Sequence, residues 1–238
     1  MEKKLAIMQP YFFPYIGYFS LINLVDEFII FDTPQFIRHG WIERNRILKQ
    51  NGEPIYISIP LVKKPRETSI LDMEIRNTEN WKNKILAQLV PYKKKAPFYY
   101  KVVDLLNSIF ELQTDNLVEM NIHALKTICN YLGITTPIKI WSKMDEQIGE
   151  VTEPDEWALE ITKALGGSSY INPIGGKSFF NKEKYNDKGI NIQFLEQKEV
   201  EYNQFTESFI PNLSIIDTLM FNDVDTVKEL LNKFKLTS

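Results

Sequence analysis

The 238-residue sequence predicts an α/β protein: a mostly parallel sheet that starts with a βαβ unit, with a helical middle portion, in one domain over residues 1–238. Three observations carry this reading. Residues 4–8 and 28–31 are short, apolar runs, as strands covered on both faces are. Between them, Ile16, Phe19, Leu21, Ile22, Leu24 and Val25 fall at helical rather than alternating spacing. Strand, helix and strand within about 30 residues imply two parallel strands joined by a crossover.

The first strand stops at Gln9-Pro10, because proline cannot donate to a ladder and biases its predecessor toward extended geometry. The second strand covers residues 27–32, and an irregular, charged and aromatic segment follows over 33–50. Ile55, Ile57 and Ile59 alternate with Tyr56 and Ser58, which predicts a strand over 54–60. A basic loop over 61–69 leads to a further strand over 70–75. The middle is helical. Asn80 caps a helix to about Tyr92, Pro97 opens a second to about Phe110, and Asp115 or Asn116 caps a third that stops at Leu132-Gly133. Seams at 135–137 and 149–154 leave room for a helical subdomain over about 80–135. Thr152 or Glu153 before Pro154 starts a helix to Leu165-Gly166, and strands return at 169–172 and 191–195. Ser214 and Asp217 are spaced like a capping box for a helix over 215–221, and Asp223 caps a last helix over 224–234.

Charge excludes some partners. With 28 basic against 31 acidic residues the net charge is −3, so no field attracts nucleic acid and an anionic ligand must be held by local groups. The single cysteine gives no internal disulfide framework and fits a reducing compartment. No apolar run approaches the ~18 residues that span a bilayer, and the N-terminal residues do not read as a signal peptide. A cytoplasmic protein without a membrane span is expected. Cys129 falls in the apolar stripe of Val118, Ile122, Leu125, Ile128 and Leu132, as a core residue does. His123 has no partner at ligand spacing, so no metal centre is expected. Oligomeric state is left open.

Ligands of open parallel sheets bind beyond the carboxyl ends of the strands. That rule nominates two segments. The first, Gln9-Pro10-Tyr11-Phe12-Phe13-Pro14-Tyr15-Ile16-Gly17-Tyr18, is a stiff aromatic loop. It either walls a pocket, with Gly17 allowing close approach, or packs down as a hydrophobic plug. The second carries Asp32, Gln35, Arg38, His39, Trp41, Arg44, Asn45 and Arg46, suited to a phosphate or a sugar, or else a solvated face with Glu43 pairing to an arginine. If the two strands are neighbours, Gln9 and Asp32 share a rim. Farther on, Gly175-Gly176-Lys177-Ser178 follows Ile171-Asn172-Pro173. Ile171 stands where a phosphate-binding P-loop needs glycine, so this is an amide-lined turn facing an anion, or a plain strand-to-helix turn.

Four blocks carry a resemblance: residues 8–19 (MQPYFFPYIGYF), Trp41 with Arg44-Asn45-Arg46-Ile47, residues 170–176 (YINPIGG), and residues 209–222 (FIPNLSIIDTLMFN). They resemble the signature blocks of the WbqC-like family of bacterial surface-polysaccharide gene clusters. The resemblance highlights Gln9, Pro10, Tyr11, Gly17, Asp32, Trp41, Arg44, Asn45, Arg46, Asn172, Gly175, Gly176 and Asp217. Asp32-Thr33-Pro34 replaces the family's Asp-Asp-Val, and Glu43 stands where an Asn often precedes Arg-Asn. The resemblance implies sugar modification: transfer of glycine or another acyl group to the amine of a nucleotide-linked amino sugar in O-antigen biosynthesis. Asp32 is then the expected base, acting directly or by orienting His39. Arg44, Arg46 and Lys177 are expected to hold the diphosphate, with Tyr11 and Trp41 stacking and Gln9, Gly17, Asn45, Asn172 and Gly176 completing the site. The donor is a carrier thioester, brought by an acyl carrier protein, or an acyl group activated with ATP. Residues 13–18 are also similar in fold context to the phosphate loop of nucleotidyltransferases, which implies an adenylate-forming ligase as the alternative; those enzymes place histidines where this chain has aromatics such as Tyr18. A non-catalytic binder of the nucleotide sugar or of a partner is the third expectation.

Overall fold

The first two strands pair as the βαβ pattern requires. In the computed structural model, which describes residues 2–238, β1 (Lys4–Met8) and β2 (Glu27–Ile30) are parallel and joined by α1 (Ile16–Leu24), with Met8 opposite Ile30. The two-stranded antiparallel hairpin of β3 (Arg44–Leu48) and β4 (Pro54–Ser58) stands apart from the main sheet. The helical middle follows as α2 (Trp81–Gln88), α3 (Tyr99–Phe110) and α4 (Leu117–Leu132). The chain then returns to the sheet through β5 (Ile138–Ile140), α5 (Glu156–Ala164), β6 (Ser169–Pro173), α6 (Lys182–Asp187) and β7 (Asn191–Gln197). It ends with α7 (Ile215–Phe221), α8 (Val224–Leu231) and β8 (Phe234–Thr237).

The six-stranded sheet has the order β5-β2-β1-β6-β7-β8, parallel except for the last pair. Chain order reverses between β1 and β6, so the switch point lies there rather than between β1 and β2. One face of the sheet carries α1, the hairpin and the helical middle in a single continuous core. The other packs α5 and α6 through Ile7, Ile29, Ile161, Tyr170, Tyr185 and Phe194.

Several local expectations are corrected. Residues 70–75 form no strand: Ile70, Met73 and Ile75 are buried, but only isolated bridges pair this stretch. The segment 33–50 is not irregular throughout, because it contains β3. The helix from Asn80 ends at Gln88 and gives way to a short 3-10 turn over Val90–Lys94, and Asn80 makes no side-chain cap. The last helix stops at Leu231, so that Phe234 can begin an antiparallel edge strand. Ser214 does cap α7, accepting from the Ile216 amide at 3.2 Å, but Asp217 closes no capping box. Its carboxylate is buried and accepts from Tyr92 (2.6 Å), Tyr202 (2.7 Å) and Gln204 (2.8 Å), and burial raises its pKa. Among the described residues no helix is long and apolar enough to cross a membrane.

Candidate functional site

The loop leaving β1 is held almost atom by atom. Tyr18 Oη donates to the Gln9 carbonyl at 2.7 Å, and Asn121 Nδ2 reaches the carbonyls of Pro10 and Ile42, each at 2.8 Å. Asn45 Nδ2 spans the carbonyls of Phe12 (3.1 Å) and Phe13 (2.9 Å). Ser214 Oγ also donates to Phe13 at 2.8 Å, and the Ile215 amide donates to Pro14 at 2.9 Å. Phe13 has φ 41°, in the left-handed region that bulky residues avoid. A strained residue persists only where its surroundings over-determine it, and three side-chain hydrogen bonds to the carbonyls of residues 12 and 13 do so here. The Tyr15 ring lies over Gly17, where a Cβ would overlap the ring unless the ring moved. The start of α1 is thereby covered by Tyr15 rather than left open to a phosphate.

Above this loop a cleft of about 1210 Å³ opens across the carboxyl ends of β2, β1 and β6. Its two walls differ in chemistry. The wall on the α1 side carries Gln9, Tyr11, Tyr15, Trp41 and Arg46. The phenols of Tyr11 and Tyr15 are held above the ordinary value by burial, so they stay protonated and can donate. Arg46 lies 5.8 Å from the Trp41 ring and donates weakly to the Asn212 carbonyl (3.4 Å), while its buried Nε has no partner. The wall on the α5 side is aromatic: Phe31 against Trp157 (ring centroids 5.5 Å apart), and Tyr170, Phe180 and Phe179 in a chain of edge contacts. The polar side-chain atoms of Tyr170 and Asn172 are already engaged. Tyr170 Oη donates to Asn172 Oδ1 (2.9 Å), and Asn172 Nδ2 donates to the Pro173 carbonyl (2.9 Å). Gly176 is needed beside this amide, since a Cβ there would collide with Asn172 Nδ2. Arg46 is the one charged side chain among the described lining residues, which include no carboxylate, histidine, lysine or cysteine.

Of the residues nominated from the sequence, Gln9, Tyr11, Trp41, Asn45, Arg46, Asn172 and Gly176 line this cleft. Gly17, Asp32, His39, Arg44 and Lys177 do not. Asp32 leaves β2 on the side of β5, not of β1: its two oxygens accept from the amide (3.1 Å) and hydroxyl (2.5 Å) of Ser142, just beyond β5. His39 is exposed at a tight turn (φ 60°), 4.0 Å from Glu43. Arg44 stacks on Tyr56 at 4.1 Å and donates to the His39 carbonyl. Lys177 donates to the Ser238 carbonyl at 2.7 Å. Asn45 and Asn172 border the cleft but spend their amides on the backbone.

Sequence reasoning missed Trp157, which lies in a segment with no strand-end signal, Phe179 and Phe180, which follow directly on the nominated turn over 175–178, and Asn121, which reads as a polar residue on an apolar helix. Pro154 and Trp157 border the cleft at the start of α5. Near that helix start Glu153, Asp155 and Glu156 gather into a group that could hold a metal ion, but Lys184 Nζ sits among them at 2.5, 3.1 and 2.9 Å.

Fold and site together define an α/β protein with a switch-point cleft, half aromatic and half hydrogen-bonding. The chain belongs to the WbqC-like protein family, whose model matches residues 9–229. It is also 28% identical over 222 residues to the uncharacterized protein Rv1507c of Mycobacterium tuberculosis, covering 92% of this chain and 94% of that protein. No solved structure matches the chain.

Proposed function

We propose that the cleft binds a nucleotide-linked amino sugar and that an acyl group is transferred there from a carrier thioester to the sugar amine. The observation that carries this reading is Arg46, the one charged side chain lining a 1210 Å³ cleft at the switch point, whose buried Nε has no partner, beside Gln9, Tyr11 and Tyr15. Arg46 binds the diphosphate through its planar donor fork, and Trp41 stacks on base or sugar. The neutral amine attacks the thioester carbonyl. A C–N bond forms, the C–S bond breaks, and the proton lost by nitrogen leaves on the departing sulfur. Tyr11 or Tyr15 donates to the carbonyl oxygen as charge develops on it. Asp32 has no part in this scheme, since its carboxylate is turned to Ser142.

The same lack of a carboxylate or histidine in the walls favours a second reading, capture of the sugar nucleotide without turnover. The adenylate-forming alternative is disfavoured by Tyr15, which covers the start of α1 where an ATP phosphate would be expected to sit. Mass spectrometry of the protein incubated with nucleotide-linked amino sugars, acyl-pantetheine thioesters and ATP separates these readings. Thioester-dependent acylation without AMP release is expected. AMP release would overturn the transfer scheme, and tight binding with no product would leave the capture reading. Asp32→Asn is expected to lower stability through the lost Ser142 contacts while turnover per folded molecule is retained; loss of turnover in folded Asp32→Asn would return the base role to Asp32.

A further inference from the structure

We infer that the α5-side wall is an acyl subsite selective for an uncharged, hydrophobic acyl chain, and that a glycyl group is a poor cargo. This rests on the acyl-transfer reading above and specifies its donor. Four of the large apolar side chains that remain solvent-exposed, Ile37, Trp41, Trp157 and Phe179, rim this one cleft. Exposed aromatic surface gathered from separate segments around a cavity marks a binding surface rather than chance exposure. On the α5 side the wall offers rings and no acceptor for a cation among its side chains: Tyr170 donates to Asn172, whose amide is spent on Pro173, Phe31, Phe179 and Phe180 carry no polar atom, and Trp157 carries only its indole N–H donor.

Charge decides the cargo. A glycyl thioester carries an ammonium one carbon from the reacting carbonyl, and burying it without a partner is costly. The lining contains no carboxylate to receive it, and its one charged group, Arg46, is a cation. The acids at the start of α5, Glu153, Asp155 and Glu156, are engaged by Lys184, and Asp32 is turned to Ser142. An alkyl or aryl acyl chain meets no such penalty and buries apolar area against the rings. The step stays balanced: the acyl carbonyl carbon bonds to the sugar nitrogen, the thioester C–S bond breaks, and the nitrogen proton leaves with the thiol.

The test compares glycyl-, acetyl- and octanoyl-pantetheine with the full chain, reading amide formation on a nucleotide-linked amino sugar by mass spectrometry. Binding of each thioester alone is read by quenching of tryptophan fluorescence. Octanoyl transfer is expected to exceed acetyl transfer by about tenfold or more in kcat/KM, the discrimination that added methylenes give in an apolar pocket, with glycyl no better than acetyl. In Trp157→Ala and in Phe179→Ala the octanoyl-to-acetyl ratio is expected to fall toward one. Trp157 is 36% and Phe179 54% exposed, and neither belongs to the buried core, so either variant can be made without opening it. Equal transfer of the three donors, a preference for glycyl, or an unchanged ratio in both variants would overturn the subsite. If no donor is transferred, tight octanoyl-pantetheine binding that weakens in the two variants keeps the subsite while the transfer reading fails. Absence of that binding overturns the inference itself.

Discussion

At the scale of single residues, the side chains that build the site do so mostly by holding backbone. Asn45 was legible as a polar residue after the second strand, yet its amide grips the carbonyls of Phe12 and Phe13, more than 30 positions earlier in the chain. Asp32 stood out for its place after β2, but its partner Ser142 is 110 residues away, and no local pattern announces such a bond. Asn45→Ala takes the Asn45 donor from the buried Phe12 carbonyl and leaves the Phe13 carbonyl with Ser214, and is expected to cost about 1–3 kcal/mol in urea unfolding. An unchanged midpoint would show that the loop is held without it. Glu156 gives a pH-dependent test. Lys184, together with the amides of Thr152 and Glu153 and the Thr152 hydroxyl, lowers its carboxyl from 4.5 to about 2. A depressed folded-state pKa stabilises above the unfolded value, and that contribution disappears as pH falls from about 4.5 toward 2. The melting-temperature gap between wild type and Glu156→Gln should therefore be present at pH 7 and shrink progressively as pH falls from about 4.5 toward 2; a gap independent of pH would contradict this.

At the scale of elements, legibility followed length and buried pattern. β1, α1 and β2 were readable because both strands are apolar runs and the helix repeats at its own period. The C-terminal end of α4 was readable from Gly133, which adopts φ 71°. β5, three residues long, and β8 carry too few side chains to show a period, and only tertiary pairing makes them strands. Residues 70–75 failed in the opposite sense. Ile70, Met73 and Ile75 are buried as anchors under a loop, and burial with only isolated bridges leaves an apolar run that imitates a strand. Asn116, one of two candidate caps, accepts from the Glu119 amide at 2.8 Å. Asn116→Ala is expected to lower stability by about 1 kcal/mol through α4. An effect within error, measured by thermal unfolding, would mean that packing alone sets this helix start.

At the scale of the whole molecule, we propose that the helical middle unfolds together with the rest of the chain. Its buried residues belong to the same core as α1 and the hairpin, and Asn121 of α4 ties directly to Pro10 and Ile42. A single cooperative unfolding transition is expected by far-ultraviolet circular dichroism and by tryptophan fluorescence; two separated midpoints would restore the subdomain over about 80–135. The cleft is a product of this scale as well. Sequence reasoning placed the loops after β1 and β2 at one edge, but the opposing wall comes from β6 and α5, which join β1 only through the strand order. Hence the α1-side wall was largely legible and the aromatic wall was not.

The central claim is that Arg46 anchors an anionic sugar nucleotide in the switch-point cleft. Isothermal titration of the wild type and of Arg46→Ala with a nucleoside-diphosphate-linked amino sugar tests it most directly. The account predicts saturable binding that the substitution weakens by about 1.5–3 kcal/mol, the value of a charged hydrogen bond. Equal affinity of the two proteins, or no binding to the wild type, would contradict it.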